Sequence, residues 1–278
     1  MKKIIYWLIS VVKFLFLHKR FLLIFPPFIK SQIFFDRKNM NFFHIQNRNS
    51  VDWYTNKQVF IDEQFSWNFL ISEHVKRSRV QDIDILYKQI ISSNKQPFII
   101  DCGSNNGASS LYFHQCFPEA RIQALEIDKG NYLQSKANTQ RHAKSIEVIN
   151  KGVGSRDGFG AIDDPGMGNN AFRVDFEKSN GLKVEIVSIN TLLANKSEFW
   201  APFIIKIDIE GGESDLFSSS TEWINKFPIV IIETHDWLFP KENSSLNFLK
   251  CISKLDRDFV FHGENIFSIC NNFEKKQI

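Results

Sequence analysis

From Pro97 onward the chain alternates apolar runs of β-forming residues with stretches of helical composition. Strands that are apolar on both faces occur in parallel sheets that are covered by helices on either side. The alternation therefore predicts a doubly wound, mostly parallel α/β sheet. The runs interpreted as strands are PFIIDCG, ARIQALEID, SIEVINKGV, FIIKIDIE and PIVIIETH, and the helices predicted between them cover 107–117 and 131–143.

This pattern divides the chain into three segments. The sheet domain spans 96–278 and closes with FVFHGENIFSI, which predicts an antiparallel hairpin turning at 262–265. Ahead of it, 36–95 is a lead-in of aromatic and polar residues, whose apolar spacing predicts a helix over 78–92. Within the domain, 153–190 contains DDPGMGNN and predicts an insertion of short strands and turns.

The first segment, 1–35, predicts a basic amphipathic helix. It contains six basic residues and no acidic one. Lys13 and the run His18-Lys19-Arg20 keep each apolar stretch too short to span a membrane, and no small-residue cleavage site indicates a signal peptide. A helical wheel places a polar stripe opposite a broad apolar face. The stripe consists of Lys2, Lys3, Ser10, Lys13 and Arg20.

Two interpretations of this helix stay open. A basic stripe beside an apolar face is typical of a helix that lies in a membrane interface and is attracted to anionic lipid. Residues 1–30 would then make peripheral contact with the inner face of the membrane. Alternatively, the helix packs on the domain or on a second subunit, and the sequence does not predict the oligomeric state.

The net charge and the cysteine content indicate which kinds of partner and which cellular compartment to expect. The net charge is +3, and removing the six basic residues of the first segment leaves about −3, so no nucleic-acid partner is expected. The four cysteines lie far apart without a CxxC pair. This argues against structural zinc and favours a reducing, cytoplasmic location. The motifs HExxH, GxxxxGK[ST] and GxSxG are absent, which disfavours zincin, P-loop and hydrolase chemistry.

The stretch FIIDCGSNNGASSLYF indicates a cofactor site after the first predicted strand. Gly103 and Gly107 would let the backbone turn tightly and approach a ligand. Asp101 closes the strand, where a carboxylate would oppose the pyrophosphate of a dinucleotide, and the fingerprint GxGxxG is missing. Glu126 closes the second strand, where a ribose diol is commonly bound. The two acids favour a positively charged cofactor that carries adenosine, S-adenosylmethionine, and the alternative is that Asp101 only caps the next helix.

With the motif KIDIEGGE at 206–213, the sequence resembles the FkbM-type family of S-adenosylmethionine-dependent methyltransferases over about 97–235. The matching positions are Asp101-Cys102-Gly103-Ser104-Asn105-Asn106-Gly107, Glu126, Ser188-Ile189-Asn190, Lys206 to Glu213, and Glu233. The departures are Ser104, Ile127 and Asn190, where the family usually has Ala, Pro and Asp. The resemblance implies a Rossmann-like class I methyltransferase fold and a cofactor site that includes Asn105. It also implies O-methylation of a sugar or another small hydroxyl-bearing acceptor.

On the strand predicted over 203–210, Lys206, Asp208 and Glu210 would share one face, because strand side chains alternate. The two carboxylates would reach the cleft about 6–7 Å apart, and a carboxylate can accept the proton of an acceptor hydroxyl. His235, at the end of the next predicted strand, would face the same cleft and titrates near neutral pH. We predict that Glu210 or His235 is the base and that Asp208 orients the acceptor or the cofactor. A structural Lys-Asp-Glu network is the alternative.

Three functions are compatible with these motifs. The leading one is a methyltransferase that uses S-adenosylmethionine and a small-molecule or glycan acceptor. A nucleotide-dependent oxidoreductase is disfavoured by Asp101 and by the missing GxGxxG. A non-catalytic adaptor would keep the fold and attach through its N-terminal helix. The acids and His235 could together hold Mg²⁺ or Mn²⁺, but nothing in their spacing requires a metal.

Overall fold

The structure is a computed structural model, which describes residues 2–17, 19–25, 30–67, 79–163, 173–175 and 183–272. Its first part contains helices and a small antiparallel sheet with the order β1-β2-β3. These elements are α1 (Lys2–Phe16), β1 (Phe21–Leu23), β2 (Ser31–Asp36), β3 (Asn41–Gln46), α2 (Ser50–Asn56), a π-helical turn (Lys57–Ile61) and α3 (Arg79–Ser92). None of the described helices is long and apolar enough to cross a membrane.

From residue 96 onward, strands and helices alternate as the sequence predicts. The strands are β4 (Gln96–Cys102), β5 (Arg121–Leu125), β6 (Ile146–Ile149), β7 (Gly152–Gly154), β8 (Gly158–Asp163), β9 (Arg173–Asp175), β10 (Lys183–Ser188), β11 (Trp200–Ile207), β12 (Ile229–Glu233), β13 (Arg257–His262) and β14 (Asn265–Cys270). The α-helices are α4 (Ala108–Cys116), α5 (Lys129–Thr139), α6 (Ile189–Asn195), α7 (Glu213–Leu216) and α8 (Leu246–Ile252), with 3₁₀ turns at Gln140–His142 and Thr221–Lys226.

The seven-stranded sheet confirms the predicted doubly wound architecture. Its order is β13-β14-β12-β11-β4-β5-β6, and the neighbouring pairs from β12 to β6 are all parallel. β14 runs antiparallel to both β12 and β13, so the predicted hairpin closes the sheet. The predicted insertion forms a four-stranded sheet, β7-β10-β8-β9. All but the first residue of DDPGMGNN lies outside the described residues.

The central strands are buried because helices cover both faces of the sheet. Residues 97–102 of β4 and 203–207 of β11 are buried throughout. Neighbouring side chains of β4 point to opposite faces of the sheet. Ile99 packs in the apolar cluster shared with the small sheet, α3 and α4, and Ile100 packs in the cluster shared with α6, α7 and α8. Lys206 is the charged exception on β11, with only 2% of its side chain exposed.

Among the described residues of the first segment, only α1 is helical, and β1 and β2 correct the sequence prediction of a helical segment over 1–35. β1 and β2 follow α1 and pair with β3 from the lead-in segment. The inward residues of β2 are Gln32, Phe34 and Asp36. Because two of the three are polar, the strand shows no apolar alternation in the sequence. Asp36 is buried in an ion pair with Arg20, whose Nη2 lies 2.7 Å from Oδ2 of Asp36.

Of the polar stripe on α1, Ser10 and Lys13 face the protein, whereas in a membrane-bound helix they would face the lipid headgroups. Ser10 is buried, and Nζ of Lys13 lies 2.8 Å from Oδ1 of Asp62. The opposite side of the helix is exposed and apolar. Its most exposed side chains, between 49% and 74% exposed, are Ile5, Leu8, Val12, Leu15 and Phe16. The helix therefore packs on the domain through the side that carries Trp7, Ser10, Lys13 and Phe14, as the second interpretation expects, and leaves its exposed apolar face open.

Candidate active site

A cleft opens at the carboxyl ends of β4, β5 and β11. The chain continues from β4 to β5 on one side and later returns to β11 on the other, which creates the switch point where ligands bind in such sheets. The described residues that line the cleft are Gly103, Asn105, Leu125, Glu126, Ile127, Asn131, Lys151, Gly152, Val153, Asp208, Ile209, Glu210 and Gly212. Three of the five residues predicted to bind the cofactor, Gly103, Asn105 and Glu126, are among them.

The two glycines of the first loop have separate structural roles. Gly103 has φ of +78°, and a Cβ there would lie 1.8 Å from the carbonyl oxygen of Asp208. A glycine at this position therefore allows the loop after β4 to touch the end of β11. Gly107, with φ of +87°, precedes α4, and a Cβ there would lie 2.9 Å from Oγ of Ser135. Gly107 does not line the cleft and instead allows α4 and α5 to approach each other.

Glu126 lies at the wall of the cleft and holds the first loop in place. Its Oε2 accepts a hydrogen bond from the backbone N–H of Asn105 at 2.8 Å, and its Oε1 accepts one from Asp128 at 2.8 Å. Burial raises the pKa of Glu126 to about 7, although the two amide hydrogen bonds oppose the rise. Each carboxylate oxygen keeps a second lone pair, so Glu126 can still accept hydrogen bonds from a ligand in the cleft.

Asp101 lies behind the cleft rather than in its lining. Its side chain is fully buried, and Oδ2 accepts hydrogen bonds from the hydroxyls of Ser109 and Ser110, both at 2.6 Å. Both serines lie in the first turn of α4, but Asp101 is not its cap, because these hydrogen bonds come from side-chain hydroxyls and not from the backbone of this helix. Contact between Asp101 and a cofactor stays a prediction that this placement does not favour.

Lys206 connects Asp101 to the cleft. Its Nζ lies 3.4 Å from Oδ1 of Asp101 and 3.2 Å from Oδ2 of Asp208, and it donates a hydrogen bond to the carbonyl of Gly103 at 2.8 Å. Burial alone would lower the pKa of Lys206, but the two carboxylates raise it above the ordinary value. The ammonium group therefore stays charged and joins the ends of β4 and β11.

β11 ends at Ile207, so Asp208 and Glu210 do not share a strand face as predicted. Glu210 has φ of +53° and Gly211 has φ of +94°, and these left-handed residues turn the chain before α7 begins. A left-handed conformation is uncommon for a non-glycine residue. Asp208 and Glu210 nevertheless both reach the cleft.

A second cavity of about 250 Å³ adjoins the cleft. Asp208, Glu210, Gly103 and Asn105 line both spaces. The other residues of the second cavity are Tyr54, Thr55, Gln58, Val59, Gln64, Phe65, Ser104, Ser109, Lys206, Glu233, Trp237 and Glu264. Burial raises the pKa of Glu210 to about 8, and the nearby charge of Asp208 adds to the rise. A base with a pKa near the working pH transfers protons efficiently. Glu210 has such a pKa and lies where the cleft meets the second cavity.

His235 lies beneath the second cavity and is 2% exposed. Its Nδ1 is 2.7 Å from Oε1 of Glu213, while its Nε2 is 3.5 Å from Oδ1 of Asp208 and 3.7 Å from Oε1 of Glu233. Burial alone would lower the pKa of His235, but Glu213 and the other two carboxylates raise it to about 9. Because His235 lines neither space, this geometry favours Glu210 over His235 as the base.

Sequence reasoning missed Glu213, Asn131, Trp237 and Glu264. Glu213 lies inside KIDIEGGE, three residues after Glu210, and only the fold shows that its carboxylate points at His235 rather than at solvent. Asn131 lines the cleft from the first turn of α5. Trp237 and Glu264 follow β12 and β13 without a motif, so nothing in the sequence indicated them.

Comparison with known proteins gives the same family as the sequence motifs. Residues 101–261, more than half of the chain, match the family model described as Methyltransferase FkbM domain. The hexuronic acid methyltransferase AglP of Haloferax volcanii is 23% identical over 192 residues, covering 66% of this chain and 78% of that protein.

Solved structures of methyltransferases resemble the chain more distantly. The precorrin-6y C5,15-methyltransferase of Geobacter metallireducens has a TM-score of 0.35 at 8% identity, covering 72% of this chain and 90% of that one. A methyltransferase of Geobacter sulfurreducens has a TM-score of 0.35 at 10% identity, covering 81% and 90%. From the family match, the chain belongs to the FkbM methyltransferase domain family and is an S-adenosylmethionine-dependent methyltransferase.

Proposed function

We propose that the chain methylates a hydroxyl group of a sugar or another small acceptor. The cleft at the ends of β4, β5 and β11 would hold S-adenosylmethionine, which supplies a methyl group on a positively charged sulfur. The lining fits such a cofactor, because Leu125, Ile127 and Val153 offer apolar surface for an adenine ring. Glu126 and Asn131 offer polar atoms for the ribose hydroxyls.

The observation that carries the proposal is the shared lining of the two spaces. Asp208 and Glu210 contact both the cofactor cleft and the second cavity, so a hydroxyl bound in the second cavity would meet the reacting end of the cofactor beside two carboxylates. The acceptor oxygen would form a bond to the methyl carbon while the bond from that carbon to the cofactor sulfur breaks, which leaves neutral S-adenosylhomocysteine, and a carboxylate oxygen of Glu210 would accept the hydroxyl proton. Asp208, which contacts Lys206, would place a carboxylate beside the positive charge of the cofactor.

The second cavity suits a carbohydrate. Trp237 and Tyr54 are 66% and 52% exposed and offer aromatic faces for the apolar C–H surface of a sugar ring. Gln58 and Gln64 offer amide groups that can donate to and accept from hydroxyls. The name of the relative AglP gives hexuronic acid as its acceptor, which supports a sugar as the acceptor of this chain.

A turnover assay tests this proposal. Methyl-labelled S-adenosylmethionine would be incubated with the protein and a panel of nucleotide sugars and glycan fragments, and label in each acceptor would be measured. We expect label on a hydroxyl of at least one sugar. Cofactor binding without transfer to any hydroxyl would favour the non-catalytic adaptor, and label on a nitrogen or carbon atom would contradict O-methylation.

We also propose that α1 contacts a lipid surface through its apolar face. That face exposes large apolar side chains along the helix, and the first 35 residues contain no acid that would repel anionic lipid. The described basic residues are mostly used inside the protein, because Lys13, Lys19 and Arg20 form ion pairs with acidic residues. Apolar burial rather than charge would therefore supply most of the attraction, which differs from the expectation from the sequence.

A further inference from the structure

Three side chains beneath the second cavity bring possible metal ligands together. Asp208, Glu233 and His235 each place one ligand atom within 4.8 Å of the other two, and no other such group is found among the described residues. They come from the ends of the neighbouring strands β11 and β12. Asp208 and Glu233 also line the cavity, so an ion held by the three residues would face a bound acceptor.

His235 is oriented as metal-binding histidines usually are. Such a histidine donates its other ring N–H to a carboxylate, which fixes the ring and leaves the second nitrogen free for the metal. Here the fully buried Glu213 lies 2.7 Å from Nδ1 of His235. This contact keeps a proton on Nδ1, so Nε2 is the nitrogen that faces Asp208 and Glu233 and would give up its proton to bind a cation.

The distances from Nε2 suit a shared ion better than hydrogen bonds. The separations of 3.5 Å and 3.7 Å to Asp208 and Glu233 exceed those of good N–H···O hydrogen bonds. Two ligand atoms that lie about 2.1 Å from one cation are themselves about 3.0–3.4 Å apart. A small closure of the three side chains would therefore complete one face of a coordination sphere.

Lys206 does not block this arrangement. Its Nζ contacts Oδ2 of Asp208, whereas Oδ1 faces His235. Four carboxylates, those of Asp208, Glu210, Glu213 and Glu233, lie around one lysine and one histidine. A divalent cation would reduce the mutual repulsion of these acids.

We propose that Asp208, Glu233 and Nε2 of His235 bind a divalent cation such as Mn²⁺, with Glu213 as the positioning residue. The mixture of carboxylate and imidazole ligands suits first-row divalent ions. If the proposed O-methylation holds, the open positions of the ion would bind acceptor oxygens in the second cavity. The ion would then lower the pKa of the hydroxyl that Glu210 deprotonates.

Mn²⁺ binding without acceptor or cofactor tests the site directly. The chelator-treated full chain would be titrated with Mn²⁺, and the free ion would be followed by electron paramagnetic resonance. We expect one bound Mn²⁺ per chain, with a ¹⁴N coupling from the imidazole in pulsed spectra. Asp208→Asn, Glu233→Gln and His235→Ala should each weaken binding at least about 10-fold, and Glu213→Gln should weaken it about 10–100-fold.

Glu222→Gln is the control, because Glu222 is exposed and lines neither the cleft nor the second cavity. Its Mn²⁺ affinity should stay within about twofold of the wild type. Circular dichroism would establish that each variant is folded. Absence of Mn²⁺ binding to the wild-type chain, or binding without ¹⁴N coupling, overturns the proposal and leaves His235 as an imidazolium paired with carboxylates. Because the readout needs no methyl transfer, it is independent of the outcome of the acceptor panel.

Discussion

Nζ of Lys206 lies 3.4 Å from Oδ1 of Asp101, and both side chains are almost completely buried at the centre of the sheet. Lys206→Met would leave the fully buried Asp101 and the partly exposed Asp208 without this cationic partner. We expect a loss of about 3–5 kcal/mol in the free energy of unfolding, because a buried charge without its partner is costly. Urea denaturation would measure it. The double variant Lys206→Met/Asp101→Asn should recover part of the lost stability. A loss below about 1 kcal/mol in the single variant would show that the pair contributes no more to stability than a surface ion pair.

Gly103 is also needed where the loop after β4 touches the end of β11. Gly103→Ala places a Cβ 1.8 Å from the carbonyl oxygen of Asp208 in a residue with φ of +78°. The backbone conformation alone costs about 1–3 kcal/mol for a non-glycine residue, and the collision adds to it. We expect a strongly lowered melting temperature and weaker cofactor binding. Gly158→Ala is the control, since a Cβ there meets nothing within 4 Å, and equal effects of the two changes would refute the argument.

The large sheet was predictable from the sequence because its central strands are apolar on both faces. The small sheet was not, because its inward-facing Gln32 and Asp36 are polar and become buried only through partners elsewhere in the chain, Asn56 and Arg20. The end of β11 was also misplaced. Nothing in the letters of KIDIEGGE shows that Glu210 adopts a left-handed conformation.

The candidate site was predictable as a set of residue types, but the exposure of each side chain was not. Asp101 ends a strand as predicted, yet Ser109 and Ser110 bind it behind the cleft. His235 follows β12 as expected, but Glu213 holds its ring beneath the cavity. Such distinctions depend on contacts between distant segments, which motif spacing does not contain.

Replacing Glu126 should weaken cofactor binding without unfolding the chain. Glu126→Gln keeps the shape of the side chain but removes its charge and one acceptor position. We expect S-adenosylhomocysteine to bind about 10–100-fold more weakly, as for the loss of hydrogen bonds to a charged group. Isothermal titration calorimetry would measure the affinity, with the surface variant Glu222→Gln as the control. Unchanged affinity would remove Glu126 from the cofactor site.

The apolar face of α1 should bind lipid vesicles with little dependence on salt. The triple change Leu8→Gln, Val12→Gln and Leu15→Gln removes exposed apolar surface without touching the side that packs on the domain. Sedimentation with phosphatidylcholine–phosphatidylserine vesicles should show binding of the wild type at low and high salt and its loss in the variant. Concentration-dependent dimerisation that the triple variant abolishes, without vesicle binding, would assign the face to a second copy of the chain instead.

Glu210 should determine the rate of methyl transfer rather than the binding of the cofactor. Glu210→Gln keeps the side-chain shape at the junction of the two spaces but cannot accept the proton of the acceptor hydroxyl. We expect turnover to fall about 10²–10⁴-fold, the usual contribution of a general base, while the affinity for S-adenosylhomocysteine changes little. Glu264→Gln is a comparison in the second cavity outside the cofactor cleft, and it should alter the KM for the acceptor more than kcat. Near-normal turnover of Glu210→Gln would exclude Glu210 as the base. The proton would then have to pass to Asp208 or Glu233, the other carboxylates beside His235 that line the second cavity.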